Sequence, residues 1–343
     1  MTRASMIRKY EPRRMSDTRV ATSAMIASLA AEGYDTVAAP FGHALTDLAK
    51  RDDRIVGLSA DLSKYTDLHV FAQAMPDRFY QMGMAEQLLF SAAAGLAREG
   101  FIPFATTYAV FASRRAYDFI AMAIAEENLP VKIVCALPGL TTGYGPSHQA
   151  TEDLAIFRGL PGMVIIDPCD ADDVAGMVPA MVAHDGPVYA RLLRGKVPSV
   201  LTRHKPDYRF QLGRAQMIRE GDDVLVISSG IMTMRALDAA EKLIADKVDV
   251  AVLHVPTIKP LDIDTIRAEA ARGGRLVITA ENHSVNGGLG EAVASALLTA
   301  GITPRFRMIG LPDAFLEAGA LPTLHDMYGL SVDKVADQIK GWL

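Results

Sequence analysis

The stretch FYQMGMAEQLLFSAAAGLAREG, residues 79–100, places one carboxylate, Glu86, at the beginning of an otherwise apolar helical pattern. Arg98 and Gly100 indicate the end of this helix, because cations favour the last turn and glycine commonly follows it. An acidic residue in a first turn can simply complement the helix dipole. The apolar surroundings support a second interpretation, in which Glu86 is shielded from water and serves chemistry.

Short β-branched segments alternate with helical patterns along the whole chain, which predicts parallel sheets with crossover helices. The expected fold class is α/β, with two doubly wound, mostly parallel-sheet domains. Strands are predicted at residues 54–60, 103–107, 131–138, 163–168, 187–193, 223–230, 249–256, 275–282 and 305–312. Helices are predicted near residues 43–50, 86–98, 113–127, 171–183, 231–245, 262–272, 288–300 and 331–341.

The pattern lapses between Gly195 and Gly213 into a polar, proline-containing segment, which predicts a domain boundary. We expect a first domain over residues 20–200, a linker over 201–212 and a second, smaller domain over 213–343. Residues 1–19 are rich in Lys and Arg with no apolar run behind them. They are expected to be a disordered basic tail, unless translation begins at Met15.

Composition excludes several classes of function. With 35 basic and 40 acidic residues the net charge is −5, which argues against a general nucleic-acid surface. No apolar stretch reaches the roughly 18 residues that span a bilayer, so no membrane partner is expected. Cys135 and Cys169 lie in predicted strands, where buried free thiols are usual. Two unpaired cysteines indicate a reducing compartment, and we expect the cytoplasm.

Two further segments in the first domain carry groups suited to a binding site. In GLTTGYGPSHQATEDLAIFRGLPGM, residues 139–163, glycines and a proline surround His148. In TTYAVFASRRAYDFIAMAIAEE, residues 106–127, Tyr108 and Phe111 stand near Arg114. A histidine can merely fill a loop, and aromatic residues at this spacing are usually core, so each segment alone is a weak signal.

Together these segments resemble the transketolase family of thiamine-diphosphate enzymes, namely its pyrimidine-binding and C-terminal domains. The matching motifs occur in the family's order: SADLS at 59–63, MAEQ at 84–87, TYAVF at 107–111, RRAYD at 114–118, GPSHQ at 145–149, ATEDLAIFRGLP at 150–161, ARLLR at 190–194, TIKPLD at 257–262 and AENHSVNGGLGEA at 280–292. Eight or more motifs in register make coincidence an inadequate explanation. The resemblance covers about residue 36 to the end of the chain.

The resemblance implies a cofactor site for thiamine diphosphate. The glutamate matching Glu86 accepts a hydrogen bond from the aminopyrimidine ring, and a carboxylate shielded from water suits that role whereas an amide would fail. Tyr108 and Phe111 would form the apolar slot for this ring, with Arg114 or Tyr117 contributing. Asp61, in the SADLS motif, is a further expected cofactor contact.

The resemblance also implies a substrate site. His148 matches a histidine that faces the cofactor's amino group and steadies a developing alkoxide. Arg194 matches an arginine that binds a sugar phosphate, and Arg191 is a second candidate. If the strand alternation continues, these two arginines point to opposite faces, so one of them reaches the substrate.

Three departures from the family pattern suggest an unusual sugar. Tyr144 stands where many relatives have an aspartate that reads a sugar hydroxyl. Ala136 aligns with a phosphate-binding histidine and Ala38 with an arginine. A remodelled pocket of this kind would fit a branched ketose phosphate such as apulose 4-phosphate.

The family holds the diphosphate and Mg²⁺ with a Gly-Asp-Gly run and a downstream asparagine, which this sequence lacks. The resemblance therefore implies a split enzyme in which this chain carries no metal ligand. The partner would be an N-terminal subunit with the diphosphate-binding domain, in a dimer of heterodimers. Two alternatives remain open: the beta chain of a 2-oxo acid dehydrogenase decarboxylase component, and a relative that retains the fold without chemistry.

Overall fold

The computed structural model describes residues 33–343, so the predicted basic tail and the first part of the predicted first domain lie outside the described residues. The strands are β1 Thr36–Ala38, β2 Ile55–Ser59, β3 Phe79–Gln81, β4 Ile102–Tyr108, β5 Lys132–Ala136, β6 Val164–Ile166, β7 Val188–Leu192, β8 Lys196–Pro198, β9 Gln216–Arg219, β10 Val224–Ser228, β11 Val250–His254, β12 Thr257–Lys259, β13 Leu276–Ser284 and β14 Phe306–Leu311.

Most helices lie between these strands, as crossover connections require, and the last two follow β14. The helices are α1 Pro40–Ala49, α2 His69–Ala74, α3 Glu86–Arg98, α4 Ala109–Arg115, α5 Tyr117–Ile120, α6 Asp153–Arg158, α7 Ala171–Ala183, α8 Leu201–His204, α9 Ile231–Leu243, α10 Ile263–Ala270, α11 Leu289–Thr299, α12 Leu321–Met327 and α13 Val332–Trp342. A π-helical turn, Ala121–Ala125, follows α5.

Two mostly parallel sheets form the centre of the molecule. The first has the strand order β12-β6-β7-β5-β4-β2-β3, and the second has the order β14-β13-β10-β11-β9. Antiparallel pairing occurs at one edge of each sheet, between β12 and β6 and between β9 and β11. Every residue of β2, β4, β5, β7, β10 and β11 is buried, because helices cover both faces of such sheets. The predicted α/β class is confirmed.

The differences from the predicted elements concern short or interrupted segments. All nine predicted strands coincide with observed ones, whereas β1, β3, β8, β9 and β12 were not predicted. They contain three or four residues each, too few to show a period. The helix predicted over 113–127 was wrong in its bounds: it begins at Ala109, is interrupted at Ala116 and ends in the π-helical turn.

The two sheets are joined by more than the connecting chain. Strand β12 follows β11 of the second sheet but pairs with β6 of the first. At the start of α7, the Asp170 carboxylate accepts hydrogen bonds from the backbone N–H groups of Val200 and Leu201, each at 2.8 Å. On the same helix, Asp173 Oδ2 lies 2.8 Å from Nε2 of His254 in β11. These contacts connect the linker and the second sheet to α7.

Cys135 and Cys169 are free and buried, as the sequence predicts. Within residues 33–343, no helix combines the length and the apolar character that crossing a bilayer requires.

Candidate functional site

The predicted site residues of the first domain gather at the carboxyl ends of its parallel strands, where α/β sheets commonly bind ligands. Asp61 follows β2, and Tyr108 is the last residue of β4. The loop that carries His148 follows β5, the next strand of the sheet. The sheet order therefore brings together segments that are separated by up to about 90 residues in the sequence.

Glu86 is the first residue of α3 and is only 2% exposed. Among the described residues, its carboxylate has one hydrogen-bonding partner, Arg115 at the end of α4. Nη1 of Arg115 lies 3.3 Å and 3.4 Å from the two carboxylate oxygens. The Arg115 guanidinium also lies over the Phe111 ring, 4.0 Å from its centroid, and its side chain is 51% exposed.

Sequence reasoning did not assign a role to Arg115. A signal was available, because Phe111 and Arg115 are four residues apart on one helix and such residues are neighbours on its surface. The link from Arg115 to Glu86 spans 29 positions and depends on the packing of α4 beside α3. Only the folded chain reveals it.

Four rings form an aromatic group beside Glu86: Tyr108, Phe111, His148 and Tyr144. The Tyr108 and Phe111 centroids are 5.7 Å apart, and His148 meets the edge of Phe111 at 5.4 Å. Tyr144 lies 5.4 Å from His148 on another side. Ser147 Oγ is 2.9 Å from His148 Nδ1, so the hydroxyl fixes the orientation of the imidazole.

Arg114 contacts the loop that carries His148. Its Nη1 donates to the Pro146 carbonyl at 2.7 Å, and its Nη2 donates to the Gln149 carbonyl at 3.2 Å. Its Nε forms an ion pair with Glu152. Tyr117, the alternative to Arg114, packs against Phe157 of α6. Arg114 therefore acts on the aromatic group through the His148 loop.

Asp61 lies next to the segment that leads into α3. Its backbone is left-handed, with φ of 60°, and its N–H donates to Gln81 Oε1 at 2.7 Å. The Gln81 amide donates in turn to Asp61 Oδ1 at 3.3 Å. The exposed Asp61 carboxylate is thus held beside the segment that precedes α3.

Arg194 lies near the aromatic group, close enough to Tyr108 for its charge to act on that hydroxyl. Its guanidinium carbon is 5.6 Å from the Tyr65 ring centroid. Burial raises the pKa of Tyr108, and the nearby charge of Arg194 partly opposes that rise. Arg194 Nε is buried and has no hydrogen-bond partner among residues 33–343. An unsatisfied buried donor is costly, so this atom is suited to an anionic ligand.

Arg191 lies apart from these residues, between the two sheets. Its Nε donates to Asp153 Oδ2 at 2.9 Å, and its Nη2 is 2.5 Å from Asp153 Oδ1. Nη1 contacts the Asn282 carbonyl at 3.1 Å and Asp167 at 3.5 Å. Each guanidinium nitrogen of the buried Arg191 already has a hydrogen-bond partner in the protein. The surroundings of Arg191 are therefore those of a structural ion pair. Arg194 follows the end of β7, so strand alternation does not relate the two.

The site suits one end of thiamine diphosphate. A buried carboxylate beside a slot of aromatic rings fits a flat, nitrogen-containing ring. Among the described residues, no group of three or more His, Cys, Asp or Glu side chains is arranged to hold a metal ion. The side chains at hand thus fit the aminopyrimidine.

Comparison with known families and proteins agrees with this geometry. Residues 34–199 match the family model of the transketolase pyrimidine-binding domain, and residues 213–335 match that of the transketolase C-terminal domain. An uncharacterized transketolase family protein of Sinorhizobium fredii is 69% identical over 95% of this chain and 94% of its own length.

Two other similar proteins are described as a transketolase subunit and as a split-gene transketolase. The 6-deoxy-6-sulfo-D-fructose transketolase subunit of a Clostridium species is 41% identical over 85% of this chain and 89% of its own length. A solved structure described as a split-gene transketolase, inactive beta4 tetramer, is 42% identical with a TM-score of 0.80. It is matched over 89% of this chain and 97% of that one.

Proposed function

Because the chain belongs to the transketolase family, we propose that it is the C-terminal subunit of a split transketolase. The complete enzyme would transfer a two-carbon ketol unit from a ketose phosphate to an aldose phosphate. The observation that carries this proposal is the buried carboxylate of Glu86 beside the aromatic group of Tyr108, Phe111, His148 and Tyr144.

Thiamine diphosphate, when bound, supplies the carbanion chemistry, and the protein supplies geometry and charge. Glu86 would accept a hydrogen bond from the aminopyrimidine, which an amide at that position could not replace. Tyr108 and Phe111 would exclude water from the ring, and Asp61 would contact the cofactor near the entrance to α3. Arg114 would keep His148 in place through the loop it binds.

The substrate would lie between the aromatic group and Arg194. The free Nε of Arg194 offers a charge-assisted hydrogen bond to an anionic end of the sugar, while His148 and Tyr144 offer polar contacts. Tyr144, Ala136 and Ala38 depart from the family pattern, which supports an unusual donor such as apulose 4-phosphate. The Clostridium relative is named for a sulfosugar, so both compounds belong in a donor screen.

A partner subunit would bring the diphosphate and Mg²⁺ ligands. The sequence has no Gly-Asp-Gly run, and large apolar side chains are exposed beside Glu86. Met84 and Leu88 lie at the start of α3, and Phe119 and Met122 lie on the adjoining α5 and π-helical turn. Exposed apolar groups on neighbouring segments favour a protein interface. We propose a dimer of heterodimers in the cytoplasm.

The test is co-expression with the polypeptide that carries the Gly-Asp-Gly and Asn motif, followed by a screen of ketose donors with thiamine diphosphate and Mg²⁺. We expect Glu86→Gln to reduce turnover by at least about 100-fold, as for loss of a general acid–base group, while the complex still co-purifies. Glu99→Gln, at the exposed end of α3, is the matched control.

Two outcomes would contradict the proposal. One is undiminished turnover by Glu86→Gln, which would remove this residue from the mechanism. The other is turnover of pyruvate in place of every ketose, which would favour the beta chain of a 2-oxo acid dehydrogenase component.

A further inference from the structure

Arg115 connects the carboxylate of Glu86 to the ring of Phe111. Its Nη1 reaches both Glu86 oxygens at 3.3 Å and 3.4 Å, and its guanidinium lies 4.0 Å from the Phe111 centroid. No other described residue forms a hydrogen bond or an ion pair with Glu86. One side chain therefore engages both the acid and the aromatic surface of the proposed cofactor site.

Burial explains why Glu86 needs this contact. A carboxylate that is removed from water without a partner carries a large desolvation cost. The positive charge of Arg115, whose side chain is half exposed, offsets this desolvation cost. Because the Arg115 side chain remains 51% exposed, the pair is weakly held and can separate.

The position of Arg115 conflicts with a ring bound in the slot. At 4.0 Å the guanidinium is at stacking distance and covers one face of Phe111, while His148 meets the ring at its edge. A flat heterocycle that stacks on the same face must displace the guanidinium. It must also compete with Nη1 for the carboxylate oxygens that would receive its own hydrogen bond.

We propose that Arg115 is a positioning residue that acts through Glu86 as a displaceable latch. In the cofactor-free chain it neutralises Glu86 and covers Phe111, and it withdraws toward solvent when the aminopyrimidine docks. This inference rests on the proposed function. It assigns Arg115 and its neighbour Arg114 different roles, because Arg114 is bound to the loop at residues 146–152.

The first test measures cofactor affinity by titration calorimetry on the cofactor-free two-subunit complex in the presence of Mg²⁺. Loss of an ion pair of this exposure is worth about 0.2–1 kcal/mol, so we expect Arg115→Gln to bind thiamine diphosphate roughly 1.5- to 5-fold more tightly. Arg115→Lys, which keeps the charge, should stay close to wild type. Arg98→Gln is the matched control, since Arg98 forms a similarly exposed ion pair with Glu127.

The second test uses the isolated full chain and does not require the cofactor. Arg115→Gln should lower the thermal unfolding midpoint in the wild-type background and lower it by less in the Glu86→Gln background, where only the contact with Phe111 is lost. A purely structural role for Arg115 would lower the midpoint equally in both backgrounds.

The outcomes separate this inference from the proposed function. If the wild-type complex takes up no thiamine diphosphate, the proposed function fails and the latch fails with it. If wild type binds the cofactor while Arg115→Gln binds it equally or more weakly, the latch alone is overturned. Equal shifts of the unfolding midpoint in both backgrounds would also overturn it.

Discussion

Two carboxylate–guanidinium pairs, Glu86–Arg115 and Asp153–Arg191, use the same chemical groups in different surroundings. In the first pair the arginine side chain is half exposed, and in the second both side chains are almost entirely buried. Water can replace Arg115 as the partner of Glu86 at little cost. Between the sheets, no group is available to replace Arg191 as the partner of Asp153. The comparison teaches that the surroundings of an ion pair decide whether it can open during function.

The pKa values of the buried pair reflect this mutual dependence. Burial by itself raises the pKa of Asp153, but the charge and hydrogen bonds of Arg191, with smaller contributions from His283 and Tyr189, together outweigh burial and hold that pKa below its usual value. Burial by itself lowers the pKa of Arg191, and the Asp153 and Asp167 carboxylates reverse that effect. Each charge is tolerated in the interior because the other is present.

The largest expected effect comes from breaking the buried pair. Arg191→Met leaves Asp153 charged and unpaired in the interior, which should lower the free energy of unfolding by about 3–5 kcal/mol. Urea unfolding of the isolated chain at neutral pH measures this. Arg191→Met combined with Asp153→Leu should recover much of the loss, and it provides the test if the single variant does not fold. A single-variant loss below about 1 kcal/mol, the usual range of a surface pair, would show that the two pairs do not differ.

The next effect concerns Arg194, the arginine proposed to bind the anionic end of the sugar. Arg194→Gln removes a charged donor to the sugar's anionic end, which is worth about 1.5–3 kcal/mol. We expect KM for the preferred ketose to rise by roughly 10- to 150-fold with a smaller change in kcat. Steady-state kinetics of the two-subunit complex measures both constants. Arg194→Lys should recover part of the affinity, and an unchanged KM for Arg194→Gln would assign the anion to other residues.

A third effect, spread over a range of pH, concerns the docking of the His148 loop on the second domain. His325 Nε2 lies 2.7 Å from the carbonyl oxygen of Leu140, and burial lowers the pKa of His325 from 6.5 to about 4. Between these pH values the unfolded chain binds a proton that the folded chain does not. The stability that this histidine contributes is therefore lost as pH falls from 6.5 to about 4.

His325→Gln should keep a donor to Leu140 and remove this titration. We expect the free energy of unfolding of the variant to fall less steeply on acidification, by about 1.4 kcal/mol for each pH unit within that window. Urea unfolding at several pH values measures the difference from wild type. His283 and Glu281 titrate in both proteins and cancel in the comparison. Parallel pH profiles would contradict the prediction.

The sequence could predict features that depend on local pattern, but not contacts that depend on tertiary packing. Nine of the strands in residues 33–343 and the start of α3 at Glu86 were predicted, because buried parallel strands read as β-branched runs and helices read as periodic ones. The aromatic group of Tyr108, Phe111 and His148 was predicted from motif order. The positions of Arg191 and Arg115 were not, since each depends on which distant carboxylate the fold brings near.

The sequence by itself determined the α/β class, the order of its elements and the acid at the first turn of α3, because these follow from local periodicity and residue type. The tertiary structure alone decided the partners of the three arginines Arg114, Arg115 and Arg191. Adjacent residues on a helix point about 100° apart, so Arg114 meets the His148 loop while Arg115 meets Glu86. The residue pattern of the helix does not show which groups will lie beside Arg114 and Arg115, because those neighbours are set only when the helices pack.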